Sequence, residues 1–253
     1  DNWAGSVSFL AKQSDGYQSR DRGDDASNHE MWGLRAHLNG DFTENWNSHL
    51  VVDYSDVDQN VYPRVLSDFD PNQFFPSIYN AFVGPVDGFC CDTNIDDIDR
   101  SHVLNEEDRD QSTVSGLSWT NTWAIGDLTL KSITGYREME AEVYRDSDNA
   151  INNYFSVGTE WDTYQFSQEF LLSNASGSSF DWLVGAYYFE EDGDHVTDVT
   201  VADGLYDALK DLPFEVTPPD GVPLRFLAVP LDLTLHYDRT QKTTSYAAFF
   251  NTT

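Results

Sequence analysis

Two neighbouring segments decide the fold: residues 29–42 read HEMWGLRAHLNGDF, and residues 46–57 read WNSHLVVDYSDV. In the first segment the even positions are mostly apolar and the odd positions mostly polar, with Trp32, Leu34, Ala36, Leu38 and Phe42 set against His29, Arg35, His37, Asn39 and Asp41. Successive side chains of a β-strand point to opposite faces, so the alternation predicts strands with one apolar and one polar face. The three residues between the segments, Thr43-Glu44-Asn45, predict a short turn.

The same alternation recurs along the chain and predicts about eight strands. Their expected ranges are 2–14, 29–42, 46–57, 112–124, 128–142, 161–174, 181–192 and 241–253. The run 112–123 alternates poorly, which predicts a bulge there. Most of these runs are longer than the ~5–6 residues that are usual in globular proteins, and they match the ~9–11 residues of a tilted membrane strand. Strand length therefore favours a bilayer.

The connections between the strands alternate in length. Short turns are expected at 43–45, 124–127 and 175–180, and long segments at about 15–28, 58–111, 143–160 and 193–240. Short turns on one side and long loops on the other are typical of bacterial outer-membrane barrels. Aromatic side chains near the strand ends predict two girdles at the membrane interfaces. We therefore predict an all-β fold, an antiparallel up-and-down transmembrane β-barrel fragment with about eight long strands and long extracellular loops.

Helices contribute little to this prediction. The chain contains no uninterrupted apolar run near the ~18 residues of a membrane helix, and it shows no convincing helix of ten or more residues. The segment 201–212, which reads VADGLYDALKDL, predicts a short surface helix with Leu205, Leu209 and Leu212 on one side. Whether eight strands close on themselves is left open by the sequence.

Composition excludes several classes of function. Lys and Arg number 14 and Asp and Glu number 44, so the formal net charge of −30 argues against nucleic-acid binding. The sequence contains no GxSxG, HExxH or P-loop motif, and we predict that the protein is not an enzyme. Cys90 and Cys91 are adjacent and fit no zinc spacing, and we predict no metal site and no cofactor. The redox state of this cysteine pair is left open.

Several motifs resemble the barrel strands of one family, the TonB-dependent outer-membrane receptors. They are SITGYR at 132–137, QFSQEF at 165–170 and WLVGAYYF at 182–189, preceded by Gly16-Tyr17, Arg35 and Leu38. Their order and spacing cover nearly the whole chain. Family members carry an N-terminal plug domain inside a barrel of about 22 strands, a barrel class with a plugged lumen. The resemblance implies that residues 1–253 are a partial barrel, from which the plug and the remaining strands are absent.

The resemblance also implies a function, a location and partners. The family carries out energy-driven uptake of a scarce nutrient across the bacterial outer membrane, most often a ferric siderophore or another iron complex, with cobalamin or a carbohydrate as the usual alternative. The expected partners are outer-membrane lipid, the nutrient, and the TonB energy-coupling complex acting through the missing plug segment. An anionic ferric siderophore would not be steered by the acidic field of this chain, so such a ligand requires local basic residues that the sequence does not place.

Candidate ligand-binding residues fall into two groups. The first projects from the polar face of adjacent strands and comprises His29, Arg35, His37, His49 and Asp53. The second lies in the acidic, aromatic-rich segment 58–111 and comprises Tyr62, Phe74, Phe75 and Tyr79. Loops are where specificity is expected to reside. Two other interpretations remain, because the polar-face groups also suit lumenal hydration and ion pairing, and the acidic loop also suits a solvated surface near lipopolysaccharide.

One rival function remains, a secreted all-β module that binds carbohydrate or calcium. The run 92–97 begins like a calcium loop but has Asp97 where a glycine is needed, so a regular EF-hand is not expected. A soluble module would cover the apolar face around Trp32, Leu34 and Leu38 with a second sheet. A receptor barrel would leave that face uncovered by protein.

Overall fold

A single open sheet dominates the molecule. The computed structural model describes residues 2–18, 25–60, 70–87, 108–150, 152–174, 180–213, 223 and 231–252. Within them the strands are β1 Trp3–Ser14, β2 His29–Thr43, β3 Trp46–Gln59, β4 Arg109–Ile125, β5 Leu128–Asp146, β6 Phe155–Asn174, β7 Trp182–Val201 and β8 Leu233–Thr252. They form one eight-stranded antiparallel sheet in sequence order, in which no described pairing joins β1 to β8. The predicted all-β, up-and-down architecture is confirmed.

Successive connections alternate in length, as expected, with the short turns at one end of the sheet. Glu44-Asn45 joins β2 to β3, and Gly126-Asp127 joins β4 to β5. Gly126 has a φ of 60°, a left-handed conformation that a glycine adopts without steric cost in a tight hairpin. The strand ends that the longer connections 15–28, 60–108, 147–154 and 202–232 join all lie at the opposite end. We call these two ends the turn end and the loop end.

The bulge predicted at 112–123 is wrong. Strand β4 pairs without interruption to β3 and to β5 over its whole length. The pattern alternates poorly there because Asn121, Ser115 and Thr113 share a face with the apolar residues of β4. The register shift in this part of the sheet lies instead in β2, between Asp41 and Thr43, directly before the turn.

The strands of the second half extend beyond their predicted ranges toward the loop end. β5 continues to Asp146, β6 begins at Phe155, β7 continues to Val201 and β8 begins at Leu233. Pairing continues through these extensions with an unbroken register. The sequence pattern ends earlier because the alternation inverts in the extensions. The even positions become polar or acidic, and the apolar residues, such as Val157, Val199 and Leu235, fall on the opposite face.

The buried core that the described residues form is small and lies in the loops. It consists of Ile78, Tyr79, Val83, Ala202, Leu205 and Leu209, which we call the loop core. The first three belong to a helical stretch made of α1 Phe74–Ile78, a π-helical turn Tyr79–Val83 and α2 Gly84–Asp87, and the last two to α3 Leu205–Leu209. The short helix expected at 201–212 therefore forms, with its leucine side buried. The helical stretch at 74–87 was not predicted.

The apolar face of the sheet remains uncovered. Trp32, Leu34 and Leu38 are 40%, 43% and 46% exposed, and the described strands form no second sheet against them. The covering layer that a soluble β-module would need is therefore absent from the described part of the chain. No helix in that part combines the length and apolar composition needed to cross a membrane.

Candidate functional site

Strand register sorts the side chains into an aromatic face and a polar face. The aromatic face carries the even-numbered residues of β2, β3 and β5–β8 and the odd-numbered residues of β1 and β4. Near the turn end its rings touch in series: Trp3 meets Phe42 edge-on at 4.7 Å, Phe42 stacks on Trp46 at 4.3 Å, and Trp46 lies 6.2 Å from Trp123. This row forms the first girdle.

A second row of rings crosses the same face closer to the loop end. Trp32 packs on Tyr54 with ring centroids 4.9 Å apart, and Tyr164 lies in the same cross-strand row as Tyr54. Tyr136 lies two residues and Tyr188 four residues nearer the turn end. Along β3 the two rows are separated by the eight residue steps from Trp46 to Tyr54, a distance of ~26 Å along the strand. At a tilt of ~40° that distance spans ~20 Å, comparable with the ~25 Å apolar band of an outer-membrane barrel.

Beyond the second girdle the aromatic face becomes strongly acidic. Its strand carboxylates are Glu30, Asp56, Asp58, Glu138, Glu140, Glu142, Asp146, Glu160, Asp162, Glu190, Asp192, Asp194, Asp198 and Asp238. Besides His236, whose Nδ1 lies 2.6 Å from Asp198 Oδ1, the same strand face carries two basic residues. Arg109 pairs with Glu142, and Lys242 Nζ lies 3.1 Å from Glu190 Oε1 and 3.4 Å from an oxygen of Asp192. Most of this charge therefore has no basic counterpart on the described strands.

The polar face has the opposite balance. Its basic strand residues are Lys12, Arg35, Lys131, Arg137, Arg145 and Arg239, and its acidic ones are Asp41, Asp53, Asp110, Glu169 and Glu191. The polar face of the strands is thus slightly basic, although the chain as a whole has a net charge of −30. The basic residues that the sequence did not place therefore lie on this face.

The centre of the polar face is an arginine–aspartate–arginine group. Arg35 of β2 lies opposite Asp53 of β3 in the register. Arg137 of β5 reaches across β4, and its Nη2 donates to Asp53 Oδ2 at 3.2 Å. The bridge passes over Gly116, where an added Cβ would lie 2.9 Å from that oxygen and 3.2 Å from the guanidinium nitrogen. A glycine at this position leaves the space that the bridge needs.

A cavity of about 320 Å³ opens beside this group. Residues of six successive strands line it on the polar face, among them Arg35, Asp53, Ser118, Arg137, Gln165 and Tyr187. Gln165 Nε2 also donates to Glu191 Oε2 at 2.6 Å. The cavity therefore combines two guanidinium groups, one carboxylate, one amide and an aromatic ring.

The predicted polar-face residues divide into two places. His37 lies two residues after Arg35 and stacks on His49 with ring centroids 5.7 Å apart. Together with Asp53 these residues make one patch with the cavity. His29 lies apart at the loop end, where its Nδ1 is 2.7 Å from Gln59 Oε1. Their role in ligand binding stays a prediction.

Arg137 is the residue that sequence reasoning missed. It occurs in the SITGYR motif that carries the family resemblance, but it lies 84 residues from Asp53 in the chain. The missing signal was the β3–β4–β5 register, which places the two side chains at the same height on either side of a glycine.

The predicted loop residues differ in accessibility. Phe74 is 44% exposed, Phe75 is half-buried, and Tyr79 is fully buried in the loop core. The Tyr79 hydroxyl donates to the Asp203 carbonyl at 3.0 Å, and its ring meets Tyr154 edge-on at 4.6 Å. Tyr79 thus joins three loops and offers no open surface to a ligand. Tyr62, the Cys90-Cys91 pair and the run 92–97 lie outside the described residues.

Carboxylates in the β5–β6 loop serve backbone structure. Asp148 Oδ2 accepts hydrogen bonds from the Tyr154 and Phe155 amides at 2.9 and 2.6 Å, and its Oδ1 accepts one from Ala150 at 2.8 Å. Burial, and then the charge of Asp146, raises the pKa of Asp148 to about 7. The described residues contain no group of three or more His, Cys, Asp or Glu side chains that would hold a metal ion.

The raised pKa of Asp148 predicts pH-dependent loop stability. The folded loop keeps a proton that the unfolded loop releases above a pKa of 3.8. The free energy of loop unfolding is therefore expected to fall as pH rises from about 4 to 7, by at most about 1.4 kcal/mol per unit, and to stay constant above that range. Hydrogen exchange of amides 147–154, corrected for intrinsic rates, measures it.

Two variants isolate the carboxyl responsible. Asp148→Asn keeps a carbonyl acceptor and should remove the pH dependence. Asp207→Asn, which changes a side chain that is 77% exposed, should leave it intact. A pH dependence that survives in Asp148→Asn would assign the effect to another group.

Known structures share this fold. The ferric yersiniabactin uptake receptor FyuA from Yersinia pestis aligns with a TM-score of 0.52 and 10% identity over 98% of this chain. The siderophore receptor PiuA from Acinetobacter baumannii aligns with a TM-score of 0.54 and 13% identity over 98% of this chain. The RagAB peptide importer in the 'closed-closed' state gives a TM-score of 0.49 at 11% identity, over 99% of this chain and 28% of its own.

The chain is much shorter than these structures. It spans 39% of the length of FyuA and 36% of the length of PiuA. No protein-family model and no curated protein matches the sequence. The uncovered aromatic face, the two girdles and the open eight-stranded sheet give this chain the fold of a section of a TonB-dependent receptor β-barrel, as its sequence resemblance implied.

Proposed function

We propose that this chain forms part of the wall of a bacterial outer-membrane receptor that takes up a scarce small nutrient with energy from the TonB complex. The division of the aromatic face carries this proposal. Between the two girdles that face is mostly apolar, and its polar members there, such as Asn121 and Gln168, are hydrogen-bonded to neighbours on the same face; beyond the second girdle it is acidic. This division suits hydrocarbon followed by the aqueous outer surface. The polar face then lines the lumen.

An iron complex is the nutrient that we favour, and a ferric siderophore in particular. The fold aligns above a TM-score of 0.5 with FyuA, a ferric yersiniabactin uptake receptor, and with PiuA, a siderophore receptor. The acidic net charge of the chain argues against an anionic chelate only if it faces the ligand. On the strands the acidic excess lies on the aromatic face, and Arg35 and Arg137 lie on the face that would meet the chelate.

Energy coupling would come through a plug domain in the lumen, which contacts the TonB complex. Further strands of the same receptor would pair with the edges of β1 and β8. This pairing would remove edges that otherwise invite aggregation. Residues 1–253 would thus be one section of a larger barrel domain.

The rival function, a secreted carbohydrate- or calcium-binding module, has less support. It requires protein over Trp32, Leu34 and Leu38, and in the described residues these side chains stay exposed. It also gains nothing from girdles ~20 Å apart, because a soluble sheet has no interface at that spacing.

Spin-label accessibility tests the membrane assignment. In the full-length receptor in lipid vesicles, with Cys90 and Cys91 replaced by serine, labels are attached at positions 38, 39 and 140. We expect the label at 38 to be accessible to oxygen, which partitions into lipid, because it faces the apolar band. Labels at 39 and 140 should be accessible to a water-soluble nickel chelate. Equal nickel accessibility at 38 and 140 would overturn the membrane assignment.

An uptake assay tests the transport assignment separately. Deletion of the gene should abolish uptake of the iron complex during iron limitation, and the full-length gene should restore it. Undiminished uptake of a panel of ferric siderophores in the deletion strain would reject the iron complex as nutrient and leave the membrane assignment standing.

A further inference from the structure

We propose that the polar-face cavity beside Arg35 and Arg137 binds a carboxylate group of an anionic ligand, an inference that rests on the proposed uptake function and names the chemistry of its substrate. The recognising groups are the two guanidiniums. Asp53 lies between them and, without a ligand, pairs with Arg137 and competes for its donors.

The first argument is a charge imbalance at short range. Asp53 is the one carboxylate between two arginines in the same cross-strand row. Its Oδ2 accepts from Arg137, whereas Arg35 makes no ion pair within the described residues. One positive charge therefore remains uncompensated, and Arg35 is exposed on the open side of the sheet.

The second argument is the geometry of the donors. A guanidinium offers paired N–H groups that match the two oxygens of a carboxylate. The Asp53–Arg137 bridge is a single contact of 3.2 Å with the arginine side chain 54% exposed, so most of the Arg137 donors still face the cavity. Gly116 keeps the space above β4 free, because a side chain there would meet both partners of the bridge.

The third argument is the room available. The cavity of about 320 Å³ lies at the lower end of the size range of small-molecule sites. Its lining includes Ser118, Gly135 and Ser167, whose small side chains leave space above the backbone of the sheet. The rings of Tyr187 and Phe189 also line it. The arginines, with small residues beside them, suit the carboxylate of a ligand. The aromatic rings at one side suit an apolar or planar portion of the same ligand.

Iron(III) citrate, an anionic tricarboxylate chelate, is the probe for the test. The measurement is equilibrium binding of radioactive iron(III) citrate to outer-membrane vesicles that carry the full-length receptor. We expect Arg35→Gln and Arg137→Gln each to weaken binding about tenfold or more, because each removes a charge-assisted donor pair. Arg239→Gln, which removes an arginine from the same face outside the cavity, should change binding less than twofold.

Asp53→Asn should change the affinity for iron(III) citrate in a direction that a purely structural role of Asp53 would not produce. Removing the competing carboxylate frees Arg137, so binding of iron(III) citrate should become several-fold tighter. Heat-modified electrophoretic mobility confirms that each variant is folded. If Asp53 only held the wall together, the same substitution would weaken binding or leave it unchanged, which would overturn the proposal.

Two further results would also overturn it. One is equal binding by Arg35→Gln and Arg239→Gln. The other combines two measurements: the wild-type receptor binds no iron(III) citrate, and the Arg35→Gln variant unfolds at a lower temperature than the wild type. An acidic side chain of the receptor itself would then fill the site. Neither result affects the membrane assignment, which the spin-label experiment tests independently.

Discussion

Leu38→Arg is expected to destabilise the membrane-folded receptor by about 2–4 kcal/mol, the cost of a basic side chain at the midplane of a transmembrane barrel. Leu38 lies on the aromatic face, midway along β2 between Trp32 and Phe42. It is 46% exposed, and no second sheet covers it in the described residues. A guanidinium at this position would lie among acyl chains. Reversible denaturant unfolding of the full-length receptor in lipid vesicles measures the loss.

The neighbouring residue supplies a matched control. Asn39 is exposed on the polar face of the same strand, so Asn39→Arg introduces the same charge one residue away on the opposite side. We expect it to cost less than about 1 kcal/mol, as for surface substitutions. Equal stability of the two arginine variants would mean that both faces meet water, and the bilayer assignment would fail.

The part of the fold that was predictable is the part that a bilayer would constrain. Alternation between Trp32 and Phe42, and between Trp46 and Tyr54, is clear because one face is mainly apolar in the band. Beyond the second girdle this constraint disappears: the aromatic face becomes acidic, and apolar residues such as Val157, Val199 and Leu235 lie on the opposite face. The extensions of β5 to β8 therefore do not continue the pattern of the apolar band, and the strands were predicted too short.

The distribution of charge depended on register as well as on composition. A net charge of −30 predicts an acidic molecule but does not say which face is acidic. Because successive residues of a strand point to opposite faces, Arg137 and Glu138 contribute to opposite faces although they are adjacent. Arg35 and Asp53 were predictable as polar-face residues from single strands, whereas their association with Arg137 required three strands in register.

The helical stretch at 74–87 was missed because its stability is tertiary. The stretch 74–87 contains Pro76 and Pro85, which weaken any sequence-based helix prediction. What stabilises it is contact with α3, and the hydrogen bond from Tyr79 to Asp203 joins residues 124 positions apart. An aromatic-rich acidic loop therefore suggested ligand contact at Tyr79, where the ring in fact packs inside the loop core.

Leu209→Ala is expected to unfold the loop core with a loss of about 2–5 kcal/mol, the usual cost of truncating a buried leucine. Leu209, the last residue of α3, is fully buried in the loop core with Tyr79 and Val83 of the π-helical turn. Because one small core holds both loops, the effect should reach the distant segment. Hydrogen exchange of amides 74–83 should accelerate together with that of 205–209, while exchange in the strands stays unchanged.

An exposed residue of the same helix provides the comparison. Tyr206→Ala, at a side chain that is 45% exposed, should leave exchange at 74–83 nearly unchanged. If Leu209→Ala accelerates exchange only at 205–209, the two loops fold independently and the loop core is not a cooperative unit. If both segments respond, the loops at the entrance of the proposed lumen open and close together. Binding of a ligand at Phe74 would then depend on whether α3 is folded, because the loop core couples the two.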